Sequence, residues 1–218
     1  MQNRVDCPLC LNAATQQIFS AKAAGRLRPF FHCAVCDLLY VPKTFHVSLN
    51  EEKQKYGMHN NDSTDSRYIQ FLGQMIHQVC TLAGNHQRVL DFGSGPQPVL
   101  AGLLGEKGYQ VDLFDPFFSP DKAGLQPYYA TVTCCEVIEH FNDPQRSWQE
   151  LIDRMAPQGK LFVMTHRRDE VEDLAQWYYI RDITHVAFYS KPCLQWIGDN
   201  WNLEVRFLSE RVALLTRR

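Results

Sequence analysis

The stretch Val89-Leu90-Asp91-Phe92-Gly93-Ser94-Gly95-Pro96 constrains the fold of this chain more than any other segment. Val89 to Phe92 predicts a buried parallel strand, and Gly93 and Gly95 let the backbone turn sharply with no Cβ facing a ligand. A helix opening directly afterwards turns its unpaired N–H groups and positive dipole end toward whatever is bound there. Such a strand-turn-helix unit belongs to a doubly wound α/β sheet and predicts a nucleotide-like ligand beyond the strand's carboxyl end. A dinucleotide fingerprint, G-x-G-x-x-G, would place its third glycine at position 98, which is Pro98. The pattern present is instead D-x-G-x-G, formed by Asp91, Gly93 and Gly95.

Further landmarks follow in order. Tyr109-Gln110-Val111-Asp112-Leu113-Phe114-Asp115-Pro116 reads as a second strand ending in a carboxylate, at a spacing from Asp91 that suits one strand-helix-strand unit. An acid at that strand tip accepts hydrogen bonds from ribose hydroxyls, which selects Asp115 over the mid-strand Asp112. Thr131 to Cys135 predicts another strand, running into Glu136-Val137-Ile138-Glu139-His140-Phe141. Asn142-Asp143-Pro144 predicts a helix start, with amphipathic residues from Ser147 to Met155. Ala156-Pro157-Gln158-Gly159 predicts a turn into a strand ending at Thr165.

Over roughly residues 56 to 216 this series resembles the class I S-adenosylmethionine (SAM) methyltransferases, in which "EVIEH" and an "L-x-P-G-G" turn are common. The resemblance implies an α/β fold with a Rossmann-like seven-stranded sheet, closed by a helix over 191–200 and an antiparallel hairpin over 203–208 and 212–216. It also implies SAM as methyl donor, S-adenosylhomocysteine (SAH) as product, and cofactor contacts from Asp91, Gly93, Ser94, Gly95, Asp115, Pro116 and Glu136. Two departures stand out. Gln97 occupies a position where many members carry a further glycine. The segment Pro116 to Ala130 leaves room only for an abbreviated or missing third strand, so the adenine-holding residue has no counterpart; Phe117, Phe118 and Tyr128 either stack on the base or pack.

Cys7-Pro8-Leu9-Cys10 and Cys33-Ala34-Val35-Cys36 are two C-x-x-C knuckles at a spacing near that of a four-cysteine zinc ribbon. A module of this size, residues 1–48, would depend on its metal for stability. His32 is a bystander because four cysteines already fill a tetrahedral site. Cys80, Cys134, Cys135 and Cys193 read as small core residues. Nothing resembles a signal peptide, so a reducing, cytoplasmic setting is expected. No apolar run approaches the ~20 residues of a membrane span. The net charge of −2 divides as +3 over residues 1–50 and −5 over the rest, without the dense basic patch of a nucleic-acid binder.

Residues 49–84 read as a polar connector and helical lid ahead of a methyltransferase domain at 85–218. Asp62 or Ser63 is placed to cap a helix reaching about Ala83, with Tyr68, Phe71, Leu72, Met75, Ile76 and Val79 on its apolar face. In methyltransferases of this outline the segment before the first strand folds over the SAM site. The resemblance therefore offers Tyr56, His59, Asn60 and Tyr68 as cofactor or substrate contacts, against the alternative of a solvated connector. Residues 165–168, 177–182 and 184–189, rich in aromatic and imidazole groups, fall beyond the carboxyl ends of the strands.

Methyl transfer from a sulfonium needs an aligned acceptor atom and, where that atom carries a proton, a base; His140, His166 and His185 are the candidates. Glu136, Glu139 and His140 have the spacing of one helical turn and suit a divalent cation, as in the similar segment of quinone-pathway O-methyltransferases. The alternative is that Glu139 and His140 fix the turn by hydrogen bonds. The acceptor is expected to be a small molecule, such as a phenol, quinol or sugar derivative. An RNA methyltransferase whose ribbon docks nucleic acid through Arg26 and Arg28 is the second reading, and a SAM-binding scaffold without turnover the third. Oligomeric state is not written in these features.

Overall fold

The computed structural model describes residues 5–58, 62–84 and 87–218. Chain order runs β1 (Thr15–Ala23), β2 (Arg26–Cys33), β3 (Leu39–Tyr40), α1 (Leu49–Gly57), α2 (Ser66–Leu82), β4 (Arg88–Phe92), α3 (Val99–Glu106) and β5 (Gln110–Phe114). It continues through β6 (Tyr129–Cys135), α4 (Pro144–Asp153), β7 (Met155–Met164), β8 (Ala187–Phe188), α5 (Lys191–Asn200), β9 (Leu203–Phe207) and β10 (Val212–Arg217). Six of these strands form one mixed sheet in the order β5-β4-β6-β7-β10-β9. β5, β4, β6 and β7 run parallel, and β10 lies antiparallel between β7 and β9. Chain direction reverses across β4, so the carboxyl ends of β4, β5 and β6 open a crevice.

The sheet is the expected Rossmann-like methyltransferase type with six strands rather than seven among the described residues. The missing one lies between β5 and β6. Pro116, Pro120 and Pro127 remove ladder donors there. Reciprocal 3.0 Å bonds between the backbones of Asp115 and Ser119 fold that segment into a tight loop instead.

Other local expectations shift by a few residues. α3 begins at Val99 rather than directly after Gly95, because prolines at 96 and 98 keep the intervening chain out of the helix. The cap of α2 is Asp65, whose carboxylate accepts from Arg67 N at 2.9 Å; Asp62 instead accepts from Thr64 N and Oγ1. Residues 156–159 are absorbed into β7, with Gln158 at a φ of 59°. The polar connector forms the short α1, begun by a reciprocal Ser48/Glu51 capping box.

On one side of the sheet Leu72, Met75 and Val79 of α2 meet Leu100 and Leu104 of α3 and Phe162 and Met164 of β7. On the other, Trp148, Leu151, Leu194 and Ile197 pack against Val132, Leu161 and Ala213. The N-terminal segment is stitched onto this body. β1, β2 and β3 form an antiparallel sheet whose fourth strand, β8, comes from late in the chain, pairing Leu39 with Phe188 and Tyr40 with Ala187. Cys7, Leu9, Cys33 and Cys36 belong to the same buried cluster as Trp148 and Leu194, so packing is continuous across the boundary expected at residue 48. No helix among the described residues is long and apolar enough to cross a membrane.

Candidate active site

Asp91 ends the buried half of β4, and its carboxyl accepts a 2.9 Å bond from Thr133 Oγ1 of β6. Burial pushes its pKa up to about 6; the Thr133 bond opposes this and the nearby Asp115 carboxylate reinforces it. An unfolded aspartate titrates near 3.9, so the folded state holds this proton more tightly. The associated stability is therefore complete below that value and is lost as the pH rises through about 6. Asp91→Asn, which keeps an acceptor for Thr133 without the charge, is expected to stabilise the ligand-free protein by about 2 kcal/mol at pH 8 and by roughly half as much at pH 5. Urea unfolding at the two pH values checks this; an equal effect at both would show that burial does not hold the charge back.

The glycine turn is held by its neighbour strand: Gly93 N and Ser94 N donate to Phe114 O at 2.7 and 3.2 Å. Asp115 clamps both sides of the crevice. One carboxylate oxygen accepts from Gly95 N at 2.9 Å, and the other from Phe117 N and Phe118 N at 2.8 and 3.1 Å. Asp112, by contrast, is a structural partner, bound bidentately by Arg88 and by Tyr129 Oη.

Above these strand ends lies a cleft of about 1100 Å³. Asp91, Gly93, Ser94, Gly95, Asp115, Pro116 and Glu136 line it, as does Tyr56 from α1. Ser94 Oγ is buried without a hydrogen-bond partner among the described residues, a polar atom left for a ligand. Tyr68 and Phe71 contribute from α2. His59 and Asn60 lie outside the described residues.

The far wall is built from β6 and the turn after it. Glu136 sits at a φ of 53°, and a short 3-10 turn, Ile138–His140, follows. Glu139 is fully buried and accepts from Tyr179 Oη and, at 3.1 Å, from Thr165 Oγ1. Burial, reinforced by Glu136, drives its pKa well above the ordinary carboxylate range. Tyr179 Oη also reaches Glu136 at 3.1 Å, and burial raises that carboxyl to about 7 against the pull of Arg211 and Tyr179.

Two imidazoles complete this wall. His140 Nδ1 lies 3.2 Å from Thr184 O, and His185 Nδ1 lies 2.8 Å from Tyr179 O. A carbonyl only accepts, so each ring carries its proton on Nδ1 and Nε2 is the basic nitrogen. The rings meet edge to face at 4.6 Å. Burial, then the neighbouring His140, keeps His185 well below the usual histidine range. Ligand atoms of Glu139, His140 and His185 all fall within 4.8 Å of one another, a donor set of the kind that divalent cations accept.

His166 is not brought into this group and does not line the cleft. Its Nδ1 accepts from Trp177 Nε1 at 3.0 Å and faces Tyr178 Oη at 3.2 Å; burial and the adjacent Arg211 and Arg167 lower its pKa to about 4. Of the three candidate bases, His140 and His185 line the cleft.

Several cleft residues carry no local signal. Glu52, 3% exposed, accepts from Tyr56 Oη at 2.6 Å and from Asn142 Nδ2 at 2.9 Å, tying the lid to the Glu139 turn. The i, i+4 spacing of Glu52 and Tyr56 was the one available hint. In the N-terminal ribbon Cys7 Sγ lies 3.5 Å from Cys36 Sγ, and Cys10 Sγ lies 3.4 Å from Cys33 Sγ.

Comparison with known proteins agrees with this geometry. Residues 64–207 match the family model described as a methyltransferase domain. Over 104 residues the chain is 32% identical to the ubiquinone biosynthesis O-methyltransferase of Marinobacter nauticus, covering 44% of this chain and 42% of that protein. The chain thus spans less than half the length of that curated relative. In fold it is similar to the PH0226 protein of Pyrococcus horikoshii (TM-score 0.57, 11% identity, 76% of this chain and 99% of that one). It is also similar to the 1,6-didemethyltoxoflavin-N1-methyltransferase of Burkholderia thailandensis, whose structure holds its substrate and SAH (0.53, 12%, 85% and 96%). A SAM-dependent methyltransferase from Archaeoglobus fulgidus gives 0.53 at 18% identity over 71% and 78%.

Proposed function

Because the chain belongs to the methyltransferase-domain family, we propose that it transfers the methyl group of SAM to a small-molecule acceptor held beside Glu139, His140 and His185. The observation that carries this reading is the Asp115 clamp beneath a cleft large enough for two ligands. SAM, when bound, supplies an electrophilic methyl on a sulfonium. The residues present fit it: Ser94 Oγ is an orphaned polar atom in the cleft, and Asp115 Oδ2, which accepts from Gly95 N, keeps a lone pair for a ribose hydroxyl.

On the opposite wall, a neutral His185, with His140 beside it, accepts the acceptor's proton at Nε2 as the methyl is transferred. Tyr56, Phe117 and Tyr179 give that side the flat, apolar surface that suits an aromatic acceptor. A polynucleotide acceptor is less well supported. Arg28 is 1% exposed, and the exposed Arg26 is already paired with Glu51 at 2.7 Å. The clustering of the Glu139, His140 and His185 donors supports a second reading of the same wall, in which a divalent cation lowers the acceptor's pKa.

For the N-terminal thiols we adopt zinc. A disulfide needs sulfurs about 2.05 Å apart, whereas Zn–S bonds of about 2.3 Å in a tetrahedron set them near 3.8 Å. The observed 3.4 and 3.5 Å separations lie near the second value.

Calorimetric titration with SAH is the test. Wild-type protein is expected to bind and Asp115→Ala to weaken binding by about 100-fold, having lost the acceptor for three loop amides. No binding by folded, metal-replete wild type would overturn the reading. Methylation of a catechol panel with Mg2+ or with chelator then separates the two versions of the acceptor wall: a requirement for Mg2+ favours the cation, indifference the histidine base.

A further inference from the structure

The acceptor wall hangs on a segment that is tied both to the methyltransferase sheet and to the N-terminal ribbon. Residues 171–188 leave the end of β7, pass over the cleft and return to α5 with no regular element longer than the 3-10 turn Tyr178–Arg181. Tyr179 and His185 lie on it; the Tyr179 hydroxyl is tied to Glu136, Glu139 and Thr165, whereas the backbone carbonyls of 180–185 are held largely from the N-terminal ribbon.

Arg28 of β2 is the centre of that support. Its Nη1 donates to Ile183 O at 2.9 Å and His185 O at 3.0 Å, and its Nη2 to Ile180 O at 2.6 Å and Asp182 O at 3.0 Å. One guanidinium thus satisfies four carbonyls of one loop from a position 1% exposed. The planar fork makes this possible, and an ammonium has too few donors to reproduce it. Around it Phe30, Leu39 and Val41 of the ribbon pack against Trp177, Tyr179, Ile180, Val186 and Phe188. Val41 N donates to Val186 O at 2.9 Å, and Val186 N donates to Glu139 O at 2.8 Å, so one residue joins the ribbon to the Glu139 turn. On the donor side the hydrogen bonds of Asp91, Gly93, Gly95 and Asp115 go instead to β5, to β6 and to the loop of residues 117–119.

From this asymmetry we propose that Arg28 is the positioning residue of the acceptor wall: the ribbon functions as the scaffold of the acceptor subsite, and its loss disables acceptor binding while leaving the SAM subsite formed. The proposal rests on the methyltransferase reading only for the names of the two subsites. The wiring itself is physical and is tested separately.

The experiment compares wild type, Arg28→Lys and Arg28→Met as full-length, metal-replete chains. Peptide-resolved hydrogen exchange, zinc content and SAH calorimetry are measured on each. In Arg28→Met, amides of 178–186 are expected to exchange about tenfold faster or more, while β4 to β7 keep their protection. SAH affinity is expected to stay within about twofold. Arg28→Lys is expected to fall between, since it restores the charge and part of the donor set. Unchanged exchange over 178–186 in Arg28→Met would overturn the proposal. So would a loss of SAH affinity in parallel with that exchange, which would make the ribbon a support of the whole sheet. If Arg28→Met loses its zinc or fails to fold, the Arg28→Lys data decide alone by the same two criteria. Failure of wild type to bind SAH would sink the methyltransferase reading and leave the exchange result to judge the wiring.

Discussion

Gly93→Ala is expected to lower SAH affinity by about 100-fold or more and to cost about 2–4 kcal/mol of stability. Two effects combine. Gly93 sits at a φ of 80°, and an added Cβ would lie 2.4 Å from Val137 Cγ2 and 2.6 Å from Val137 Cγ1. Val137 stands between Glu136 and the Glu139 turn, so relieving the clash moves the acceptor wall together with the glycine turn. Gly95 is the control. Its φ of 67° is similarly left-handed, yet a Cβ there meets nothing within 4 Å. Gly95→Ala should cost only the backbone term, about 1–2 kcal/mol. Urea unfolding and SAH calorimetry on both variants, with Gly93→Ala/Val137→Ala as a rescue, check the argument. Equal effects at 93 and 95 without rescue would assign the cost to φ and not to Val137.

With zinc in the four-cysteine site as proposed, stripping it is expected to have the largest effect on stability, since a structural zinc contributes on the order of 10 kcal/mol of apparent free energy at neutral pH. Cys7, Cys33 and Cys36 are buried in the same cluster as Trp148 and Leu194, with Cys10 packed against it, so without a cation four thiols would crowd one largely buried site. Chelation should therefore release the segment 5–48 to proteolysis and lower the unfolding midpoint, and added Zn2+ should restore both. Cys33→Ser should reproduce the chelated behaviour. If chelated protein keeps its midpoint and its protease resistance, packing and not metal holds the ribbon.

Chemistry that needs neighbouring residues was readable from the chain. Asp91, Gly93 and Gly95 must be close in sequence to form a turn, Asp115 must end the next strand, and the knuckles must pair cysteines two residues apart. The structure brings each of these groups together. What escaped notice depends on long-range partners. Glu52 reads as one charge in a polar run until Asn142, 90 residues away, buries it. Arg28 reads as a surface cation until the carbonyls of 180–185 close over it. His166 follows β7, where a base would be sought, but Trp177 and Tyr178 draw it into their own cluster, and only the tertiary path of that loop decides this. The sheet lost its seventh strand because prolines and a tight backbone loop at Asp115–Ser119 use up the segment that would have formed it. β8, two residues long, is below what periodicity can detect.

That short strand also orders events in time. The ribbon sheet lacks its last member until Ala187 and Phe188 have been made, some 145 residues after Tyr40. At translation rates of about 5–20 residues per second this interval lasts on the order of ten seconds. The knuckles therefore leave the ribosome, and can take up metal, long before β8 exists, while Arg28 waits without the carbonyls that will bury it. The half of the cleft proposed for SAM, built from β4 to β6, can assemble during that wait, whereas the wall carried by residues 178–185 takes shape only once that late segment has met Arg28.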